Sequence, residues 1–246
     1  MYNFAFYFML FFGFSVVGWI TECISCSIWY RRFIINRGFL LGPYCPIYGV
    51  GALGGYLFLS SYSDEPIALF TLAMVGSSII EYLTSVAMEK IFKARWWDYT
   101  NQPFNIEGRV CLKNSILFGI MGLIFVYFVK PSYEYLVSLV SHRFLITLCL
   151  ICFIIYILDT IISFILMSKI KNKISQGRKD STYEIDKEIV GLLKDYTFYF
   201  KKLFKSFPEV SFNVPSSEQI VKAITKTLNN FDTKKHNKNT KKDLKK

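Results

Sequence analysis

Charged side chains are nearly missing from the first 30 residues of this 246-residue chain. Glu22 is the one Asp, Glu, Lys or Arg in that stretch, and the first basic residue is Arg31. A bilayer-spanning helix needs about 20 apolar residues, so the run is long enough to cross a membrane. The run has no basic n-region, is too long for an h-region and lacks a clear small-residue cleavage site. We therefore expect a retained helix rather than a signal peptide.

The chain also lacks the motifs of nucleotide hydrolysis and of metal chemistry. It contains no Gly-x-x-x-x-Gly-Lys-Ser/Thr string, which excludes ATP hydrolysis by a P-loop. Its two histidines are not in metal-ligand spacing. Two Cys-x-x-Cys pairs are present, Cys23/Cys26 and Cys149/Cys152, but helix rise predicts roughly 20 Å between them. We predict no metal and no cofactor.

Apolar residues dominate most of the sequence and occur in long blocks. Hydrophobic residues make up 52% of the chain and aromatic residues 18%. Such blocks are typical of an all-α integral membrane protein. We predict about five transmembrane helices, of which the second is short and rich in Gly and Pro. Gly51 and Gly55 in that helix would allow close helix contact. The predicted spans are 4–29, 44–61, 66–88, 112–130 and 144–167.

Positive charge is distributed unevenly along the chain, whose net charge is +11. Three Lys or Arg residues follow span 1, five lie between residues 89 and 113, and nineteen follow span 5. The positive-inside rule then predicts an outside N-terminus, cytoplasmic loops at 31–43 and 89–111, and a cytoplasmic C-terminus in the cell membrane. Topology and membrane lipids account for the basic charge, so we expect no nucleic-acid partner. A homo-oligomer is compatible with the sequence.

Three acidic residues interrupt the predicted spans. By helix rise, Glu22 lies roughly 27 Å from the outer start of its span, and Glu81 and Asp159 lie roughly 22 Å from theirs. A carboxylate at membrane depth costs roughly 2.5 kcal/mol or more, so these residues are candidate functional sites. Glu89 continues the Glu81 stripe toward the inner interface. The alternative is that Glu22 and Asp159 are interfacial residues near helix ends.

The loop before span 2 is too apolar for water and too rich in Gly and Pro for a regular helix. It reads Asn-Arg-Gly-Phe-Leu-Leu-Gly-Pro-Tyr-Cys-Pro-Ile-Tyr-Gly over residues 36–49. Irregular backbone at membrane depth is tolerated where it is buried in protein or lines a cavity, so we predict a re-entrant or broken start to span 2. Arg37 is a candidate counter-ion for Glu22, and Tyr44 is a candidate site residue. A plain turn with an inside-positive Arg is the alternative.

The loop after span 3 combines aromatic and charged residues. It contains the string Arg-Trp-Trp-Asp-Tyr at residues 95–99 and, further on, Arg109. An aromatic belt at the headgroup layer is the commoner explanation for adjacent Trp residues. An Arg pair beside aromatic faces would also suit a phosphate or carboxylate group held by bidentate hydrogen bonds. We therefore take Trp96, Trp97, Asp98 and Arg109 as candidate site residues.

The C-terminal part of the chain is basic and differs in pattern from the apolar blocks. We divide the chain into a transmembrane domain at 1–167, an amphipathic helical tail at 168–231 and a lysine-rich disordered terminus at 232–246. Apolar residues recur at three- and four-residue steps between residues 183 and 207. A basic amphipathic helix of this kind is expected to lie on an anionic membrane surface or to pair with a partner.

Several strings of this sequence together resemble one known family. They are Gly18-Trp19-x-x-Glu22, the 36–49 run, Glu81-Tyr82-Leu83-Thr84 with Glu89, Arg95 to Tyr99 and Asn105 to Arg109. Over about residues 1–135 they resemble the CmpB-like family of ABC-transporter type IV permeases, which is related to transmembrane protein 229. The resemblance implies a multi-pass permease-like protein whose ATPase is a separate subunit, and it implies no catalytic residues.

Three functions are compatible with these patterns. The leading hypothesis is a transport component that handles a small polar or anionic solute, or an amphiphile, at a cytoplasm-facing polar site. The first alternative is a membrane-embedded enzyme acting on a lipid headgroup, with Glu81 and Asp98 brought together by the second loop. The second is a non-catalytic membrane scaffold. The candidate binding residues are Glu22, Arg37, Tyr44, Glu81, Glu89, Trp96, Trp97, Asp98, Arg109 and Asp159.

Overall fold

The computed structural model describes residues 1–29, 31, 38–176 and 211–212. Six α-helices account for most of this part of the chain, which confirms the all-α membrane class. The helices are α1 Tyr2–Trp29, α2 Pro46–Leu57, α3 Pro66–Phe92, α4 Leu112–Ile124, α5 Lys130–Ser138 and α6 His142–Gln176. The predictions for Arg37 and for most of the tail lie outside the described residues.

Four apolar stretches in the described ranges are long enough to cross a membrane. They are Tyr2–Ile28, Pro66–Phe92, Leu112–Ser138 and His142–Lys169. The third combines α4 and α5, which a π-helical turn at Phe125–Val129 joins into one 27-residue segment. The spans predicted at 4–29, 66–88, 112–130 and 144–167 are confirmed as helical segments of membrane length, which extend two to nine residues beyond the predicted bounds at one end or both.

The second pass of the chain through the bundle, predicted at 44–61, is formed partly by irregular backbone. Helix α2 has 12 residues, or about 18 Å of rise, which is shorter than a hydrocarbon core of about 30 Å. Residues Gly38–Cys45 precede it without helical structure, and Pro46 occupies its first turn. The prediction of 44–61 as a short span with a broken start therefore agrees with the fold: four long helices and one short helix.

Small residues bring the helices of the bundle close together. Gly119 of α4 lies against the Phe70 ring of α3, and Gly122 lies against Ala73. The hydroxyls of Ser78 on α3 and Ser115 on α4 are 2.7 Å apart, so α3 and α4 also share a hydrogen bond. Small residues and interhelical hydroxyl bonds are the usual means by which helices associate in lipid.

The contact between α1 and α2 also depends on glycine. Gly49 of α2 faces the Phe11 carbonyl and the Ser15 hydroxyl of α1, with no room for a side chain. Gly55 lies against the Phe125 ring, as its predicted role in close helix contact requires. Gly51, predicted for the same role, has no atom near the position of a β-carbon. Gly49, rather than Gly51, provides the close approach.

Two short strand pairs shape the loop between α3 and α4. Strand β1 (Ala94–Arg95) pairs antiparallel with β4 (Ser211–Phe212), which belongs to the C-terminal part of the chain. Strand β2 (Asn105–Ile106) pairs with β3 (Val110–Cys111) as a hairpin. Three residues separate the paired Ile106 and Val110; Glu107 and Gly108 both have positive φ, and the Arg109 amide closes the turn by donating to the Ile106 carbonyl at 2.9 Å. The loop is thus a folded unit.

We expect Gly49→Ala to destabilise the protein by about 1–3 kcal/mol, because a methyl group there collides with the α1 backbone. Gly51→Ala is the matched control in the same helix, where the new methyl group meets nothing within 4 Å. Thermal unfolding of the detergent-solubilised protein measures both effects. Equal midpoints for the two variants would contradict the α1–α2 packing described here.

Candidate functional site

The loop between α3 and α4, residues 93–111, runs back along the last turns of α3. Helix α3 ends at Phe92, and Lys93 turns the chain with a left-handed φ of 54°. The Tyr82 hydroxyl, ten residues before Phe92, donates a 2.9 Å hydrogen bond to the Glu107 carboxylate. Ten helical residues correspond to roughly 15 Å, so the tip of this loop lies well inside the end of α3.

Internal hydrogen bonds hold the loop in this position. The Tyr99 amide donates to the Gly108 carbonyl at 2.7 Å, and the Trp97 indole donates to the Arg109 carbonyl at 2.9 Å. Arg95 donates to the carbonyl of Glu107. Gly108 has φ +63° and a β-carbon there would meet the Asp98 carboxylate, so glycine is required at this turn.

The loop places Tyr99 against Glu81. The Tyr99 hydroxyl donates a hydrogen bond of 3.2 Å to Oε1 of Glu81. Glu81 is 6% exposed, and its second oxygen, Oε2, is buried without a hydrogen-bond partner among the described residues. An acceptor left unpaired in a buried site costs about 1–3 kcal/mol, and more when it is charged. Glu81 is thus an acid whose contacts are incomplete.

Glu22 lies near Glu81 and has a tyrosine donor of its own. The Tyr48 hydroxyl donates to Oε1 of Glu22 at 2.7 Å, and the Tyr48 ring packs on the bare backbone of Gly18. Burial, together with the carboxylates of Glu81 and Glu22, raises the pKa of Tyr99. The Tyr99 hydroxyl therefore lies within electrostatic range of both acids. We refer to Glu22, Tyr48, Glu81 and Tyr99 as the acidic cluster.

Asp159 makes a different set of contacts, with the loop that precedes α2. Its two oxygens accept hydrogen bonds from the Leu41 amide at 2.9 Å and the Gly42 amide at 2.6 Å. They also accept from the hydroxyl of Ser163 at 2.8 Å and from that of Tyr44. Asp159 is 9% exposed and has four donors. The Asp159 carboxylate therefore accepts hydrogen bonds from non-helical backbone amides that would otherwise need water as their partner.

Arg109 forms ion pairs with acids of its own loop and of α3. Its guanidinium contacts Glu89 at 2.7 Å and Glu107 at 3.3 Å, and it donates to the Ser85 hydroxyl at 3.0 Å. It also lies over the Tyr82 ring, 5.8 Å from the centroid. The structure thus brings together Arg109 and Glu89, both predicted as site residues, and uses them to hold the hairpin against α3.

The remaining candidates of the second loop have structural partners. Asp98 accepts from the Thr100 amide at 3.0 Å and from its hydroxyl. Desolvation opposes ionisation of Asp98, but these bonds and the charge of Arg95 outweigh it and lower its pKa. Trp96 is buried, with its ring 5.8 Å from that of Phe39 in an edge-on contact. The two loops therefore meet.

The structure brings together some of the predicted residues and adds others. Glu22 and Glu81 share one cluster, whereas Asp159 and Tyr44 form a second. Sequence reasoning did not single out Tyr48 or Tyr99 as donors to the acids. The available signal was chemical: a buried carboxylate needs a donor, and tyrosines stand in or beside both loops, at Tyr44, Tyr48 and Tyr99. Within the described ranges, no group of three or more His, Cys, Asp or Glu side chains could hold a metal ion.

We expect Asp159→Asn to release the loop before α2. The substitution replaces one acceptor oxygen with an N–H donor that faces backbone amides. This should lower the free energy of unfolding by about 2–4 kcal/mol. Faster amide hydrogen exchange at residues 39–45 would report the release. Ser163→Ala removes one of the four donors and should have a smaller effect. Unchanged exchange in Asp159→Asn would show that the carboxylate does not hold the loop.

Comparison with known proteins adds one match. A family model described as “Putative ABC-transporter type IV” matches residues 9–164. The matched region begins in α1, ends in α6 and contains both loops and every candidate site residue. The resemblance inferred from the sequence strings is confirmed. No curated protein and no solved structure matches the chain.

Proposed function

Because the chain belongs to the ABC-transporter type IV family, we propose that it is the membrane-embedded, solute-handling component of a transport system. The acidic cluster is the proposed contact point for the solute. The observation that carries this proposal is the Glu81 carboxylate, which is buried and has one oxygen without a hydrogen-bond partner in the part of the chain that the structure describes. Ionisable residues inside membrane domains usually mark ion or substrate pathways.

The irregular backbone around the cluster supports a transport role. Transporter sites commonly form where a membrane helix is interrupted, because the unwound segment offers polar groups at membrane depth. Here α2 is the interrupted element, and Tyr48 in its first turn contacts Glu22. The solute of this proposal is small and polar, or the polar head of an amphiphile. An anionic solute would require a basic partner: Arg37, or Arg109 in exchange for its present contacts with Glu89 and Glu107.

Energy for transport would come from a separate ATPase subunit. The chain has no P-loop string, so a nucleotide-hydrolysing partner is part of the proposal. That partner would bind at the end of the bundle that carries the two loops. By the positive-inside rule, the proposal takes this end and the C-terminus as cytoplasmic, where such an ATPase has access to ATP.

The contacts of Asp98 do not favour the enzyme alternative. A headgroup-modifying enzyme would need Asp98 available beside Glu81 as an acid or a base. Asp98 instead accepts two hydrogen bonds from Thr100 within its own turn, close to Gly108. Asp98 therefore stabilises the turn of its own loop.

We expect Glu81→Gln to abolish solute handling while the protein is still made and inserted. Untargeted metabolite and lipid profiles of a strain lacking the gene, complemented with each variant, measure this. Glu134→Gln is the matched control, because Glu134 also accepts a tyrosine hydroxyl, from Tyr56 at 2.7 Å, but is exposed.

The profile of the Glu81→Gln strain should resemble that of the deletion strain, and the profile of Glu134→Gln should resemble wild type. Immunoblots of membrane fractions establish equal protein levels. A wild-type profile for Glu81→Gln would overturn the transport proposal. Changes confined to lipid composition would favour the enzyme instead.

A further inference from the structure

One oxygen of the acidic cluster, Oε2 of Glu81, has no hydrogen-bond donor among the described residues. Each tyrosine hydroxyl carries one proton, and Tyr48 and Tyr99 direct theirs to Oε1 of Glu22 and Oε1 of Glu81. Neither hydroxyl can also donate to Oε2 of Glu81. That oxygen is buried and has no hydrogen-bond partner in the described part of the chain. The cluster therefore lacks a donor at one defined atom.

The basic residue of the neighbouring loop does not supply this donor. Arg109 directs its guanidinium to Glu89, Glu107 and Ser85. Arg37 was predicted as a counter-ion for Glu22, not for Glu81, and lies outside the described residues. The missing donor is therefore one to Oε2 of Glu81, and no contact of Glu22 is needed for this step.

Charge decides which class of ligand fits. The ionised Glu81 carboxylate is buried, and Tyr99, its one hydrogen-bond donor among the described residues, is neutral. In a poorly solvated site like charges repel strongly. An anion would be repelled, whereas a cation would gain an ion pair and supply the missing donor. Metal ions with many protein ligands are not favoured, because no set of three ligating side chains exists within the described ranges.

We propose that the acidic cluster binds a monovalent cationic group, with Oε2 of Glu81 as its principal partner. An organic ammonium group fits best, because its N–H donors match the unpaired oxygen. An alkali-metal ion shares the charge but brings no hydrogen-bond donor. This inference rests on the proposed function, since it assigns the sign of the charge on the transported solute.

Binding to the purified full-length protein in lipid nanodiscs tests this inference. The probes are methylammonium chloride and ethanolammonium chloride, whose ammonium groups carry N–H donors, with sodium and potassium chloride as inorganic cations. Sodium phosphate and sodium glutamate at matched ionic strength are the anionic probes. The shift of the thermal unfolding midpoint with probe concentration gives an apparent Kd for each protein. The proteins are wild type, Glu81→Gln and Glu134→Gln.

Ammonium probes should raise the midpoint of wild type and of Glu134→Gln saturably. In Glu81→Gln the apparent Kd should be weaker by about tenfold or more, as expected for loss of one charge-assisted hydrogen bond. Equal saturable shifts with sodium or potassium chloride would assign the site to an inorganic ion and overturn the ammonium assignment. Shifts with the anionic probes alone, or equal ammonium shifts in wild type and Glu81→Gln, would overturn the cationic site itself. The midpoint without probe reports whether Glu81→Gln is folded.

Failure of this inference can be told apart from failure of the proposed function. If Glu81→Gln retains ammonium binding but loses solute handling in cells, the cationic site is wrong and the transport role stands. If Glu81→Gln loses ammonium binding but complements the deletion strain fully, the site stands and the transport role is wrong.

Discussion

The hydrogen bonds between Asp159 and the loop before α2 are the interaction on which the second pass of this protein depends. Backbone amides inside a membrane cannot be left without acceptors, and Leu41 and Gly42 precede the helix that would satisfy them. Asp159 provides two acceptor oxygens at that depth. Because the loop is fixed there, α2 begins at Pro46 and directs Tyr48 toward Glu22.

The two buried acids Asp159 and Glu81 differ in how fully they are satisfied. Asp159 has four donors, and its role is therefore structural. Among the described residues Glu81 has one donor, Tyr99, and one oxygen without a hydrogen-bond partner. Natural proteins usually pair buried polar atoms, so an exception of this kind is informative about function. The number of hydrogen-bond donors around each acid, more than its depth in the membrane, distinguishes Asp159, which stabilises the fold, from Glu81, which is proposed to bind the solute.

Much of the fold was predictable from the sequence because lipid imposes simple rules on composition. Long apolar runs predicted the four membrane-length helices, and the Gly- and Pro-rich run before Tyr48 predicted the broken second pass. The partners of the acids were not predictable, since Tyr99 reaches Glu81 only through the hairpin that folds back along α3. The choice of Gly49 over Gly51 likewise depends on the rotation of α2 against α1, which glycine spacing does not specify.

The central claim is that the two loops fold back into the bundle and meet beside the acids. Cross-linking of a Phe39→Cys/Trp96→Cys pair with a short bis-maleimide, in a cysteine-less background, tests it most directly. The centroids of the Phe39 and Trp96 rings are 5.8 Å apart, so we expect efficient intramolecular cross-linking. A Phe39→Cys/Ile67→Cys pair is the control, because Phe39 contacts Phe92 and Ile67 lies about 37 Å of helix rise from Phe92 at the opposite end of α3. Equal yields for the two pairs, or none for the first, would contradict the account.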